Sequence, residues 1–180
     1  MKEISLNILD IAENSVKAKA TLTEITVTEV GDTLTLAIKD DGCGMDEATL
    51  KSVIDPFYTT RTTRKVGLGI PLLKLACEQT GGGLDITSSI EPDDHGTTVN
   101  AVFFKNHIDF TPLGDVVSSI VTLIQGHPDT DFLFRHVTDK GEVELDTREL
   151  RAVLEDVPLD TYEVILWIRE NLGEQYDAIK

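Results

Sequence analysis

Cysteine is nearly absent from this chain of 180 residues, and no long apolar run is present. Cys43 and Cys77 are too few for a disulfide framework, and they are not spaced like metal ligands. No apolar stretch approaches the length that crosses a membrane, and the first residues lack a signal-peptide pattern. We therefore expect a cytoplasmic protein in a reducing compartment, with no membrane partner.

Basic residues are also scarce, because 16 Lys and Arg stand against 32 Asp and Glu, for a formal net charge of -16. Such an acidic surface repels phosphate backbones, so we expect no nucleic-acid partner. Residues 1–107 hold 16 acids and 10 bases, whereas residues 108–180 hold 16 acids and 6 bases. This shift near residues 110–112 predicts two domains, 1–107 and a smaller, more acidic 108–180.

Apolar periodicity predicts an α+β fold, in which helical patterns alternate with pairs of strands. Beyond residue 107 the pattern restarts and predicts a small α/β module. The predicted helices are 4–20, 67–79, 115–125, 148–155 and 162–172. A further short helix is predicted to begin at residue 46. The predicted strands are 25–29, 33–39, 84–90, 97–104, 132–137 and 142–145.

The most informative segment is Asp40-Asp41-Gly42-Cys43-Gly44, which follows directly on a predicted strand. Asp40, at the strand end, can accept a hydrogen bond from an exocyclic amine such as that of adenine. Gly42 and Gly44 allow a sharp turn and a close approach to a flat ligand. Taken alone, the same pattern also occurs in plain turns and in calcium loops.

Further segments accompany this loop in a fixed order: 10–17 on the first helix, then 55–60, 67–70 and 96–99. As an ordered set they resemble the N, G and F boxes of the GHKL superfamily, the ATP-binding domain shared by gyrase, heat-shock chaperones, histidine kinases and MutL. The resemblance covers about residues 1–107 and is nearest to the histidine kinases. It implies a Bergerat-type sandwich of helices on a mixed sheet, with ATP and Mg²⁺ as cofactors.

On the first helix, Asp10, Asn14 and Lys17 share one edge, because they are spaced four and three residues apart. By resemblance, Asn14 is the Mg²⁺ ligand, and its neutral amide oxygen suits that position. Lys17 is expected either to counter phosphate charge or to be a solvated surface residue. Asp10 stands where gyrase-like relatives have a longer glutamate that polarises the attacking water. It is either that catalytic base or a solvated acid on an amphipathic helix.

Three cations lie between the third and fourth boxes: Arg61, Arg64 and Lys65. They are the expected local counter-charge for a triphosphate, in a segment that the family folds over the nucleotide as a lid. The histidine-kinase pattern has a glycine at the position of Lys65. Backbone N–H groups at the start of the next helix are expected to bind the phosphates, from Gly67, Leu68 and Gly69.

Thr97 is the last predicted binding residue, either as a hydrogen-bond partner near the adenine or as part of a bare Gly-Thr turn. The chain has four histidines, and none lies in the long helical hairpin that carries the phosphoacceptor in sensor kinases. We interpret all four as ordinary surface or loop residues: His95, His107, His127 and His136.

Three functions remain open from the sequence. The preferred one is an enzyme of the kinase and transferase class that binds Mg-ATP and passes the γ-phosphate to a partner protein in trans. The first alternative is an ATP hydrolase in which lid closure drives a conformational change. The second is a non-enzymatic module whose nucleotide occupancy gates a protein interaction. In each case residues 108–180 are expected to provide partner docking or dimerisation.

Overall fold

Alternating apolar residues build the strands of the protein, whose computed structural model describes residues 3–54 and 68–180. On β1 and β2 every second residue is buried, so each strand turns one face to the core. The strands are β1 (Leu22–Val30), β2 (Thr33–Asp40), β3 (Gly83–Ser89), β4 (Gly96–Phe104), β5 (Asp131–Thr138) and β6 (Gly141–Asp146).

Helices follow where apolar residues recur every three or four positions. Buried Ile4, Ile8 and Ile11 give the first helix an apolar stripe, and Asp115 caps the fourth by accepting a hydrogen bond from the Ser118 N–H at 3.0 Å. The helices are α1 (Ile4–Lys17), α2 (Glu47–Ile54), α3 (Gly69–Gln79), α4 (Val116–Gly126), α5 (Thr147–Leu154) and α6 (Tyr162–Ala178). No helix in the described part of the chain is both long and apolar enough to span a bilayer.

The six strands of the described residues form one mixed sheet in the order β3-β4-β2-β1-β5-β6. The pairs are antiparallel except for β1 and β5, which run parallel. Helices pack on the face that carries the buried strand residues, and α1 contacts both α3 and α4. This arrangement confirms the predicted α+β sandwich of helices on a mixed sheet.

Residues 108–180 form the small α/β module that the sequence predicts, but their strands extend the same sheet through β5. The module also contacts α1 directly, since the Ser119 hydroxyl donates to the Ser5 carbonyl at 2.9 Å. Glu13 on α1 lies 2.9 Å from His127 Nε2, next to the end of α4. The division into two domains at residue 107 stays a prediction. If the two parts are separate domains, these contacts form the interface between them.

One predicted boundary differs clearly from the structure. The last helix continues to Ala178, six residues beyond the predicted end at 172. Its extra turns carry Tyr176, whose hydroxyl lies 2.7 Å from His136 Nδ1 on β5. Because His136 is buried within β5, with 4% of its surface exposed, its interpretation as a surface or loop residue was wrong.

Candidate nucleotide-binding site

Asp40 ends β2 on the face of the sheet that the helices cover, because it continues the alternation of buried Leu34, Leu36 and Ile38. The Ser15 hydroxyl donates to its Oδ2 at 2.7 Å, and the Gly42 N–H donates to its Oδ1 at 2.9 Å. Two donors, one on each oxygen, therefore fix the orientation of the carboxylate. Each oxygen keeps a lone pair, so Asp40 can still accept a hydrogen bond from a ligand.

The glycines after Asp40 are required by the protein's own contacts. A Cβ at Gly42 would lie 2.8 Å from the Ala18 Cβ, just after the end of α1. Gly44 has a φ of +74°, and a Cβ there would lie 1.9 Å from the Ser89 carbonyl oxygen. Close packing of the loop against α1 and β3 explains both glycines, and their predicted proximity to a flat ligand remains a prediction.

A cleft of about 510 Å³, counting its open mouth, lies between α1, the glycine loop and the sheet. It brings together four of the predicted site residues: Asn14, Asp40, Gly44 and Thr97. Its remaining walls are mainly apolar, from Ile11, Ile38, Met45, Val53, Ile70 and Val99. An apolar slot with one oriented carboxylate suits a flat ring that carries an amine on its edge.

Thr97 lies directly opposite Asp40 in the pairing of β4 with β2. Its hydroxyl is 2.8 Å from that of Ser88, which also accepts a hydrogen bond from the Met45 N–H at 2.8 Å. Thr97 therefore belongs to a hydrogen-bonded chain that joins the glycine loop to β3 and β4. This contact places it in the wall of the cleft and not in a bare turn.

The start of α3 packs against the polar edge of α1. A Cβ at Gly69 would lie 3.3 Å from the Asp10 Cβ and 4.0 Å from Asn14 Nδ2. Among residues 3–54 and 68–180 no side chain caps this helix, whose N-cap residue is the exposed Leu68. Backbone N–H groups of the first turn are left without intrahelical partners, and such groups bind phosphate oxygens readily.

The three polar residues of α1 differ in their surroundings. Asn14 and Lys17 are exposed, and neither side chain makes a hydrogen bond or ion pair within residues 3–54 and 68–180. Asp10 is half-buried, and its pKa is raised by burial and then by the nearby Glu13, with Lys17 acting in the opposite direction. A carboxyl with a raised pKa is a stronger base than a solvated one.

Other predicted residues lie outside the described part of the chain. They are Arg61, Arg64, Lys65 and Gly67, together with the box at 55–60. Their roles as lid cations and phosphate-binding backbone remain predictions.

Two residues of the site were missed by the sequence analysis, Ser15 and Ser88. Ser15 falls on the buried stripe of α1, with 2% of its surface exposed, where an apolar residue is the usual choice. Ser88 occupies an inward position near the end of β3, across from Thr97. A polar residue at the end of a strand was part of the signal that identified Asp40, but Ser88 lacks the glycine loop that follows Asp40.

The described residues contain no cluster of three or more His, Cys, Asp or Glu side chains that would hold a metal by themselves. Mg²⁺ that arrives with a nucleotide needs only one or two protein oxygens, because water and phosphate complete its shell. The exposed amide of Asn14 at the rim of the cleft fits that requirement.

Residues 2–108 match the family described as histidine kinase-, DNA gyrase B- and HSP90-like ATPase. A putative sensor protein of Shewanella frigidimarina is 30% identical over 104 residues, covering 57% of this chain and 15% of that protein. The signal transduction histidine-protein kinase AtoS of Escherichia coli is 30% identical over 88 residues, covering 49% of this chain and 14% of the kinase. This chain thus aligns with only a small part of either relative.

Two solved structures share the fold. The ATPase domain of Aquifex aeolicus MutL complexed with ADP has a TM-score of 0.52 at 15% identity, over 86% of this chain and 70% of that domain. The N-terminal domain of a DNA repair protein has a TM-score of 0.58 at 17% identity, over 81% of this chain and 52% of the other. Both structures align with a larger part of this chain than the family match at residues 2–108. The shared fold therefore includes residues outside that match.

Proposed function

The chain belongs to the histidine kinase-, DNA gyrase B- and HSP90-like ATPase family, and we propose that it binds Mg-ATP and transfers the γ-phosphate to a partner protein in trans. The oriented carboxylate of Asp40 in an apolar cleft carries the ATP proposal. Transfer to a protein is proposed because curated relatives such as AtoS are histidine-protein kinases.

In this proposal Asp40 accepts a hydrogen bond from the adenine amine, and Ser15 holds its carboxylate in position. The apolar walls of the cleft, including Ile38 and Val99, enclose the ring. Thr97, Gly42 and Gly44 shape the same wall. Selectivity for adenine follows because a ring without an amine at that edge leaves Asp40 without a donor.

The phosphates would extend along the polar edge of α1 toward the start of α3. Backbone N–H groups there, from Leu68 and Gly69, would donate to phosphate oxygens, and Lys17 would add positive charge. Asn14 would hold the Mg²⁺ that accompanies the nucleotide and neutralises phosphate charge. From the undescribed segment Arg61, Arg64, Lys65 and Gly67 would complete the phosphate contacts.

ATP hydrolysis is the second candidate, and Asp10 is the observation that favours it. Asp10 lies one helical turn before Asn14, its Cβ is beside the start of α3, and burial raises the pKa of its carboxyl. From this position it would accept the proton of a water molecule, or of an acceptor hydroxyl, as the oxygen attacks the γ-phosphate. An acceptor histidine would need no such base.

Incubation with γ-labelled ATP and Mg²⁺ separates these functions, if free phosphate and protein-bound label are followed separately. We expect label on a protein partner only when a lysate is added. Free phosphate without labelled protein would instead identify a hydrolase. Tight ATP binding with neither signal would leave a nucleotide-gated interaction module.

Asp10→Asn sharpens the assay, because it keeps the shape of the side chain but removes the base. General-base help is worth about 10²–10⁴-fold in rate, so hydrolysis or transfer to a hydroxyl should fall by that factor. ATP affinity should stay nearly unchanged. Asp10→Glu, which restores the longer side chain of gyrase-like relatives, should raise water attack. An unchanged rate in Asp10→Asn would exclude Asp10 as the base.

A protein partner is proposed to dock on residues 108–180, which carry most of the excess acid. This segment contacts α1 through Ser119 and His127. Because α1 also carries Asp10 and Asn14, a partner bound there would be close to the nucleotide without entering the cleft.

A further inference from the structure

A second cavity lies at the other end of the sheet, where β1, β5 and the end of α6 meet. It has a volume of about 730 Å³, counting its open mouth. Glu29 on β1 lines it, six residues along the strand from Thr23, which pairs with Asp40. At about 3.3 Å per residue, roughly 20 Å separates this cavity from the nucleotide cleft. It is therefore a distinct site.

The floor of the cavity is a chain of hydrogen-bonded side chains. His136 Nε2 lies 2.9 Å from Glu29 Oε1, and His136 Nδ1 lies 2.7 Å from the Tyr176 hydroxyl. A carboxylate only accepts, so Nε2 carries the proton and Tyr176 donates to Nδ1. Burial lowers the pKa of His136 and raises that of Tyr176, so both are neutral near pH 7. The floor is therefore a hydrogen-bonded chain in which His136 and Tyr176 are neutral and Glu29 is the charged member.

Three lysines surround this floor: Lys105, Lys140 and Lys180. Lys105 lies 2.9 Å from Glu29 Oε2 and keeps two N–H groups for other acceptors, and Lys180 pairs with Asp177 at 3.0 Å. Lys140, at the turn between β5 and β6, has no ion pair within the described residues.

This grouping stands out against the charge of the chain. Residues 108–180 contain only two lysines, Lys140 and Lys180, and both line this one cavity. The arginines of the same segment are bound elsewhere, in the contacts Arg135–Glu142, Arg148–Asp146, Arg151–Asp131 and Arg169–Ser118. The three ammonium groups lie beside three carboxylates, Glu29, Asp139 and the Asp177 that pairs with Lys180, so charge is balanced here in a protein with a net charge of -16.

We propose that this cavity binds a small ligand through an oxyanion group, a phosphate or a carboxylate, held by Lys105 and Lys140. The ammonium groups supply charge-assisted hydrogen bonds, and the neutral His136–Tyr176 floor supplies a surface that does not repel an anion. Glu29 and Lys105 lie in the family-matching part of the chain, whereas His136, Lys140 and Tyr176 lie in the C-terminal segment. A bound ligand therefore stabilises the contact between the two by mass action.

Calorimetric titration of the full chain, with inorganic phosphate and citrate used separately in a chloride buffer without nucleotide, tests this proposal. Lys140→Gln removes the unpaired ammonium at an exposed turn, where the fold does not depend on it. It should weaken binding by about tenfold or more, as expected for one charge-assisted hydrogen bond. Lys74→Gln is the matched control, because Lys74 lies on α3 in an ion pair with Glu78 and should leave the affinity unchanged.

The ring resonances of His136, assigned by their loss in His136→Gln, should shift during the wild-type titration and locate the ligand above the floor. Binding of phosphate alone would indicate a phosphorylated ligand, and binding of citrate alone a polycarboxylate. Either result supports the proposal if Lys140→Gln weakens it. If neither anion binds, or if Lys140→Gln and Lys74→Gln have equal effects, the proposal is wrong.

Discussion

The nucleotide cleft and the C-terminal segment use their polar residues in opposite ways. At the cleft and along the neighbouring edge of α1, Asn14 and Lys17 make no side-chain bond within the described residues, and no described side chain caps the start of α3. In the C-terminal segment, Arg151 contacts Asp131 and two backbone carbonyls. Gln175 likewise bonds both the N–H and the carbonyl of Glu144 at the sheet edge.

This difference separates binding chemistry from structural chemistry. Polar groups that already bond one another contribute mainly to stability. Polar groups without a partner, next to an apolar wall, can instead form hydrogen bonds to a ligand. Asp40 stands between the two, since Ser15 and Gly42 orient it without using all its lone pairs. The comparison predicts that changes to the bonded polar residues of the C-terminal segment, such as Arg151 and Gln175, affect folding, and that changes at the cleft affect binding.

The largest effect should come from ending the chain after His107. This change removes β5 from the side of β1 and uncovers the face of α1 that α4 covers. Five apolar residues of α4 are buried, and each such burial is worth about 1.5–3 kcal/mol, against a typical domain stability of about 5–15 kcal/mol.

We therefore expect the shortened chain to lose cooperative thermal unfolding, measured by circular dichroism. The sequence-based division into two domains makes the opposite prediction. If the shortened chain unfolds cooperatively and binds ATP, residues 1–107 are an autonomous domain.

Asn14→Ala should have the next largest effect, and only on binding. With Mg²⁺ present, ATP affinity should fall by about tenfold or more, comparable to the loss of a hydrogen bond to a charged group. Without Mg²⁺ the variant should match the wild type, because the lost oxygen contacts only the metal. Asn106→Ala, at an exposed position after β4, is the control. Equal losses with and without Mg²⁺ would show that Asn14 acts on the nucleotide or the helix.

Much of this comparison follows from sequence, because apolar periodicity is local. The pattern Leu34, Leu36, Ile38 predicted a strand that delivers Asp40 to its end, and the structure has that strand. The parallel pairing of β1 with β5 could not be predicted. Antiparallel neighbours are joined by short turns that leave a signal in the sequence, whereas β1 and β5 are far apart along the chain.

The candidate site shows the same limit. Asp40 and Asn14 were predicted from motif and residue type, but Ser15 entered only through its hydrogen bond to Asp40. Gly44 was predicted from the needs of a ligand, whereas the structure explains it by the nearness of the Ser89 carbonyl. Tertiary contacts of this kind depend on how α1 and β3 approach the loop, which no local pattern encodes.

An intermediate effect should appear at His136 as a dependence of stability on pH. Burial lowers the pKa of His136 below its usual 6.5, so the fold favours the neutral ring. Stability is then fully present above about pH 6.5 and falls as the pH drops toward the folded pKa. His136→Gln should flatten this loss below about pH 6.5, measured by denaturant unfolding. An unchanged slope would mean that His136 does not titrate on unfolding.

Glu29 defines a second, more acidic window. Burial alone would raise its pKa, but the hydrogen bonds from Lys105 and His136 bring it below 4.5. Its contribution is present above that value and is lost as the pH falls through the folded pKa. His136→Gln should leave most of this second loss in place, because Lys105 remains.

The smallest effect should be a slight gain of stability in Asp10→Asn. Burial and Glu13 raise the pKa of Asp10, so its charged form is disfavoured in the fold at neutral pH. Asparagine removes that cost, which is modest because the side chain remains partly solvated. Differential scanning calorimetry should show a slightly raised Tm. A lowered Tm would mean that the Asp10 carboxylate stabilises the fold and is not held there for chemistry.

The central claim is that Asp40 reads adenine in the cleft beneath α1. Calorimetric titration of ATP into the wild type, Asp40→Ala and Asp32→Ala tests it most directly, because Asp32 is an exposed acid at the β1–β2 turn. Loss of the acceptor should cost Asp40→Ala about 1–3 kcal/mol of binding free energy or more, while Asp32→Ala binds like the wild type. Equal ATP affinity in all three proteins would contradict the account.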